Sequence, residues 1–186
     1  MTAKEKVRFS AAEKWLVAGF LFIVIGISVP IWLAWNAAWR ESMARQDLQR
    51  IVNAAERFFV EYGYWPSPHM GTPNDVRYGR EIGNELVFNI MRAIDGPGNE
   101  GHRLNPNRIQ YIDPPRKRRG RSGVDAMGAY RDPWNTPYQV VLDTDMNDVT
   151  TLTQTIYPNQ TGVGVVSWSF GPDRQSDTSA DIVSWE

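Results

Sequence analysis

Read for apolar and polar positions, the chain opens with one long uncharged run: residues 15–35, WLVAGFLFIVIGISVPIWLAW, carry no charged side chain. At ~1.5 Å of rise per residue this run predicts a helix of about 30 Å, the thickness of a bilayer's hydrocarbon core. Trp15, Trp32, Trp35 and Trp39 stand at its ends, where amphipathic rings meet the two interfaces, and Lys4, Lys6, Arg8 and Lys14 precede or border it. The pattern predicts a single-pass anchor with a cytoplasmic N-terminus and everything after Trp39 outside. A cleavable secretory signal has the same basic start and apolar run. Here, however, the run exceeds a usual signal core and ends in Leu33-Ala34-Trp35-Asn36-Ala37-Ala38-Trp39, where no small-x-small site stands clear of bulky neighbours.

From Ala37 the pattern stays helical but turns amphipathic. Leu48, Ile51, Val52, Ala55, Phe58, Phe59 and Tyr62 recur at i, i+3, i+4 and i+7, with Arg45, Asp47, Arg50, Glu56, Arg57 and Glu61 mostly around them. No proline falls between Trp32 and Tyr62, and Gly63 stands where a C-cap glycine would. Anchor and amphipathic segment together predict one rod of about 50 residues, roughly 75–80 Å long. Its stripe needs a cover, from its own domain, from a neighbouring copy, or from both.

Beyond the helix, Tyr64-Trp65-Pro66-Ser67-Pro68 turns the chain away, and residues 85–94 predict a short helix. Residues 96–121 are dense in Gly, Pro and Asn and end in Arg116, Lys117, Arg118, Arg119, Gly120 and Arg121. Such a charge run reads first as a solvated loop; a phosphate or anionic-lipid role is the weaker alternative, since no aromatic residue interleaves the cations. From Asp132 the pattern becomes β-branched and aromatic. Residues 138–142, 149–157 and 163–170 predict strands of an antiparallel meander, one face of which joins the helix stripe in a single core. Helix first and sheet last gives the α+β class.

Composition narrows the function. About 150 residues follow the anchor, enough for one ordinary domain, and the absence of cysteine leaves packing or a metal to staple it. A net charge of −1 gives no general attraction to nucleic acid. With two histidines, His69 and His102, and no H-E-x-x-H, G-x-S-x-G or P-loop, the chain reads as non-enzymatic. Gly96 to Gly101 matches G-x-G-x-x-G in letters only, because it follows a helix rather than a strand.

Two acidic segments invite a metal. Asp143-Thr144-Asp145-Met146-Asn147-Asp148 starts like a calcium loop but has Asp148 in place of the turn glycine and Gln154 in place of the closing glutamate, so it reads as a polar hairpin turn. At the C-terminus, Asp173, Asp177 and Asp181 converge on a loop of about ten residues, where a hard cation between them relieves their mutual repulsion. Neither Cys nor His lies near, which suits Ca²⁺. The alternative is a surface loop with its carboxylates in water, and composition does not separate the two.

Several of these motifs together resemble the pseudopilins, most closely the major pseudopilin of type II secretion systems. That family has a short basic leader cut before a phenylalanine, a glutamate four residues later and a proline within the apolar helix; Phe9, Glu13 and Pro30 stand at those spacings. Tyr62-Gly63-Tyr64-Trp65-Pro66 is similar to the family's N-G-x-Y-P turn, and the stretch Asp132-Pro133-Trp134-Asn135-Thr136-Pro137-Tyr138 to its D-P-W-G-N-P-Y. Ser169 to Asp173, with Asp181 to Trp185, is similar to its S-x-G-x-D and D-D-I-x-x-W ending.

The resemblance implies a pilin-like fold with leader 1–8, long helix 9–62 and globular periplasmic domain 63–186. It implies a place in the bacterial inner membrane and self-association into a short filament, with other pseudopilins and the inner-membrane secretion platform as partners. It also implies a structural calcium held by Asp173 and Asp181 with the backbone carbonyl of Phe170. Four departures modify this. Arg8 replaces the glycine that prepilin peptidase requires, so the leader is expected to be cut poorly or not at all. Lys14 follows Glu13 and offers it local neutralisation. Ala180 replaces the first aspartate of the D-D pair, leaving Asp177 to supply that oxygen, and residues 96–121 form an insertion. The alternative function is a membrane-tethered periplasmic binding module that keeps the fold without polymerising.

Overall fold

The computed structural model describes residues 10–152 and 156–185. Arg8 and Phe9, the predicted processing site, lie outside the described residues, as does Gln154. Contacts divide the chain into two units, Met1–Trp39 and Arg40–Glu186.

A single helix, α1 (Ala11–Tyr62), runs 52 residues with Pro30 inside it. It starts on a reciprocal capping box: the Glu13 carboxylate accepts the Ser10 N–H at 2.7 Å, and the Glu13 N–H donates to Ser10 Oγ at 3.3 Å. Lys14 forms no ion pair with Glu13 among the described residues. Adjacent helix positions point about 100° apart, so they do not face each other. The helix is long and apolar enough to cross a membrane, and its most apolar stretch buries no side chain in the protein.

From Ala44 onward one stripe of α1 is buried: Ala44, Asp47, Leu48, Ile51, Ala54, Ala55 and Phe58. Asp47 corrects the sequence reading, which set it on the polar flank. It is 2% exposed and accepts a hydrogen bond from the Tyr138 hydroxyl at 3.0 Å, while Arg50 pairs with it from the solvent side at 3.2 Å. The helix ends where Gly63, at φ 73°, returns its N–H to the Phe59 carbonyl at 2.7 Å. A side chain in this left-handed conformation is strained, so Gly63→Ala is expected to destabilise the protein by about 1 kcal/mol, measured by denaturant unfolding.

The main sheet has five strands in the order β2 (Ile82–Gly83), β1 (Val76–Gly79), β5 (Gln139–Leu142), β8 (Val165–Ser169) and β9 (Ile182–Val183). β1 and β2 pair in parallel, and the other neighbours are antiparallel. A short helix, α2 (Glu85–Met91), follows β2. Two small hairpins stand apart: β3 (Gly123–Val124) with β4 (Tyr130–Arg131), and β6 (Val149–Thr150) with β7 (Gln160–Thr161).

The expected meander is therefore interrupted. Only Val149–Thr150 of the predicted strand 149–157 is a strand among the described residues, and it pairs outside the main sheet.

The sheet is covered on both faces, so there are two cores rather than one. Tyr78, Val140, Leu142, Val165 and Ile182 pack with the α1 stripe and with Val87, Phe88 and Met91 of α2. Their alternate neighbours Val141, Val166, Trp168 and Val183 pack with Leu152 and Phe170 on the other side. Burial on both faces is why these strands read as nearly continuous apolar runs.

Residues 96–121 are ordered through side chains. Buried Asn105 donates to the carbonyls of Ile90 and Ile109, both at 2.8 Å, and accepts the Tyr62 hydroxyl at 2.8 Å. The basic run is a tight turn, with Arg118 bridged to Arg121 and Lys117 Nζ folded back onto their carbonyls at 3.2 and 2.6 Å. Gly96 to Gly101 follows α2 through turns, with no strand before it.

Candidate functional site

The C-terminal acidic loop is built on two supports. The first is the turn after β4. Asp132 Oδ1 accepts the N–H groups of Trp134 at 2.9 Å and Thr136 at 2.8 Å, and Asn135 takes φ 78°, a conformation its short polar side chain tolerates. Asp132 Oδ2 accepts the Ser169 hydroxyl at 2.6 Å, and Ser169 Oγ in turn accepts the Gly171 N–H at 3.1 Å. The turn thereby fixes the end of β8, where the loop begins. The second support is Gly171, at φ 64°: a Cβ there would overlap the Ala180 carbonyl, so glycine lets the two limbs of the loop close together.

Within the loop the three predicted aspartates take different roles. Asp173 accepts the Gln175 N–H at 3.0 Å and, across the loop, the Thr178 hydroxyl at 2.8 Å. Asp181 Oδ2 accepts the Asp177 N–H at 3.1 Å, a local contact over four residues. Asp177 is held at φ 64°, and its Oδ2 accepts the Ser176 hydroxyl at 2.9 Å. The remaining oxygens, Oδ1 of Asp177 and Oδ1 of Asp181, are buried without a hydrogen-bond partner. Burial, together with the charges of Asp177 and Asp173, pushes the Asp181 carboxyl up to about 6. Phe170 is fully buried under the loop.

Buried acceptors are otherwise paired, so Oδ1 of Asp177 and Oδ1 of Asp181 stand out; among the described residues, however, Asp173, Asp177 and Asp181 are not gathered closely enough for all three to share one ion. A protein cation lies beside them. Arg77 stacks over Trp168 at 4.7 Å, reaches Ser176 Oγ at 3.4 Å, and is held below its ordinary pKa by burial against the attraction of Asp177, Glu81 and Asp181.

A second acidic group was not foreseen as a cluster. Asp75, Asp143 and Asp145 bring carboxylate oxygens within 4.8 Å of one another. Asp143 accepts the N–H groups of Asn147 and Asp148, both at 3.0 Å, and Asp75 those of Thr144 at 2.9 Å and Thr151 at 2.7 Å. The segment is a polar turn as read, but it joins β5 to the side hairpin instead of closing a hairpin between paired neighbours. Asp75 joins it from 68 residues upstream of Asp143, and no local spacing announces that.

Of the predicted assembly residues, Glu13 closes the capping box and Pro30 lies inside α1. Pro30 leaves the Gly26 carbonyl without its usual helical donor. Compared with known proteins, the chain matches no protein-family model, no curated protein and no solved structure.

Proposed function

We propose that the chain is a non-enzymatic, pseudopilin-like subunit, anchored once in the bacterial inner membrane with its C-terminal domain periplasmic. It polymerises through its N-terminal helix into a short filament that drives protein secretion, alongside other pseudopilins and an inner-membrane platform. The reading rests above all on α1, an unbroken 52-residue helix whose first part is apolar and unburied and whose second part buries one stripe. The buried stripe already has its cover in unit Arg40–Glu186, so contacts between subunits use the apolar part and the exposed faces. Asn135 supports the reading too, since the residue standing where the family's turn has glycine takes a positive φ of 78°. Orphaned oxygens on Asp177 and Asp181 support a structural Ca²⁺ in the terminal loop, with Asp173 and the Phe170 carbonyl as the further ligands that the family resemblance implies.

Single cysteines test polymerisation cleanly, because the native chain has none. Gln46→Cys and Val60→Cys place thiols on exposed positions of α1, Val60 being 84% exposed. Oxidation in cells co-expressing the two variants is expected to give a disulfide-linked dimer, and the double variant, with two thiols per chain, a ladder of cross-linked species. Monomer alone overturns the filament reading in favour of a tethered binding module.

A further inference from the structure

Beside the turn after β4 lies a cavity of about 430 Å³. Five of its nine lining residues are cationic, namely Arg40, Lys117, Arg118, Arg119 and Arg174, and none is acidic. None of the five is in an ion pair among the described residues. Lys117 is engaged with backbone carbonyls of the basic turn, so it shapes the wall. Arg118, Arg119 and Arg174 are exposed, and Arg40 is half-buried with its Nε fully buried and without a hydrogen-bond partner.

An unpaired guanidinium N–H in a buried setting lacks the acceptor that such groups almost always have. The carboxylate whose field reaches Lys117 is Asp132, and its oxygens are occupied by Trp134, Thr136 and Ser169. Burial, opposed by Asp132 and reinforced by Arg131, Arg40 and Arg174, holds the Lys117 ammonium below its ordinary value, as expected of a crowded positive field. The complement to several convergent guanidinium groups is an oxyanion with three or more acceptor oxygens.

We propose that this cavity, walled by Arg40, Lys117, Arg118, Arg119 and Arg174, binds a phosphate group, either free or carried as the headgroup of an anionic lipid. Arg40 follows Trp35 by five residues, which makes a lipid phosphate one source to test. The site lies wholly within Arg40–Glu186 and stands or falls apart from the filament reading.

The test uses the full chain in detergent, titrated by calorimetry with inorganic phosphate and, separately, scored by native mass spectrometry for retained phosphatidylglycerol against phosphatidylcholine. Saturable binding of either probe is expected, weakened about tenfold or more in the double variant Arg119→Gln, Arg174→Gln. Both positions are exposed, so the fold should survive; Arg118→Gln is a second exposed variant with an expected loss in the same direction. The control pair Arg103→Gln, Arg108→Gln removes the same charge from exposed sites outside the cavity and should change binding less than about twofold. Phosphate binding alone identifies a soluble ligand, and phosphatidylglycerol retention alone identifies a headgroup. Binding of neither probe, or equal weakening by the control pair, overturns the proposal.

Discussion

Replacing Asp132 with alanine is expected to destabilise the protein by about 3–4 kcal/mol, a loss of roughly 10 °C in melting temperature for a unit of this size. The fully buried carboxylate serves three donors, the N–H groups of Trp134 and Thr136 and the hydroxyl of Ser169. Each donor stranded without an acceptor costs about 1–3 kcal/mol, reduced where water enters the space left behind. Set against this is the cost of burying the carboxylate, which raises its pKa from the ordinary aspartate range despite those hydrogen bonds. Alanine removes that cost but keeps none of the bonds.

Asp132→Asn separates the two contributions, because its amide oxygen still accepts from Trp134 and Thr136 and Ser169 can rotate to accept from the amide. It is expected to lose only about 1 kcal/mol. The relay from Asp132 through Ser169 to the Gly171 N–H adds a second readout, faster amide exchange at Gly171 in Asp132→Ala. Thermal unfolding of the three proteins decides it. An alanine variant within 1 kcal/mol of the parent, or an asparagine variant as damaged as the alanine one, removes the turn from the supports of the loop.

The elements legible in the sequence are those set by local pattern. The stripe of α1, its Gly63 cap, α2, β5 and β8 all follow from periodicity and end signals, and each lies within a few residues of the predicted span. β1 was not legible, because Val76-Arg77-Tyr78-Gly79 is too short and mixed to stand out. It is a strand by virtue of pairing with β5, more than sixty residues later in the chain. Asp47 shows the same limit at the level of one side chain. Its helix position is polar by type, and the Tyr138 hydroxyl, 91 residues away, joins Arg50 in making its burial tolerable.

The capping box is the opposite case. Ser10-Ala11-Ala12-Glu13 is a local S-x-x-E signal, legible in the sequence alone, while the family resemblance reads Glu13 only by its spacing from Phe9. In the terminal loop the positions of Asp173, Asp177 and Asp181 were legible, but their division of labour was not. Which oxygen meets a hydroxyl and which is left buried depends on the close approach of Gly171 to Ala180. The basic run likewise reads as a solvated loop until the fold sets it beside Arg40 and Arg174.

Calcium is expected to raise the melting temperature of unit Arg40–Glu186, and chelation to lower it again. The two orphaned oxygens, Oδ1 of Asp177 and Oδ1 of Asp181, are the ones a bound cation would satisfy, while Asp181 Oδ2 already accepts the Asp177 N–H. A ligand bound only by the folded state adds RT ln(1 + [L]/Kd), about 2.7 kcal/mol at 100 times Kd. For a unit of this size that is roughly 5–10 °C.

Asp181→Ala is expected to abolish the difference between calcium and chelator. Asp177→Asn, which keeps the local backbone and one oxygen, should reduce it. Arg77 provides the discriminating control, because it is a cation already next to the loop and within the field of both aspartates. If Arg77 neutralises Asp177 and Asp181 by itself, Arg77→Gln will destabilise the chain and calcium will have no effect on the parent. If the loop holds calcium, the parent will respond to the ion, and Arg77→Gln will respond at least as strongly because a competing positive charge has been removed. Identical melting of the parent in calcium and in chelator ends the metal assignment and leaves Arg77 as the counterion of a purely structural turn.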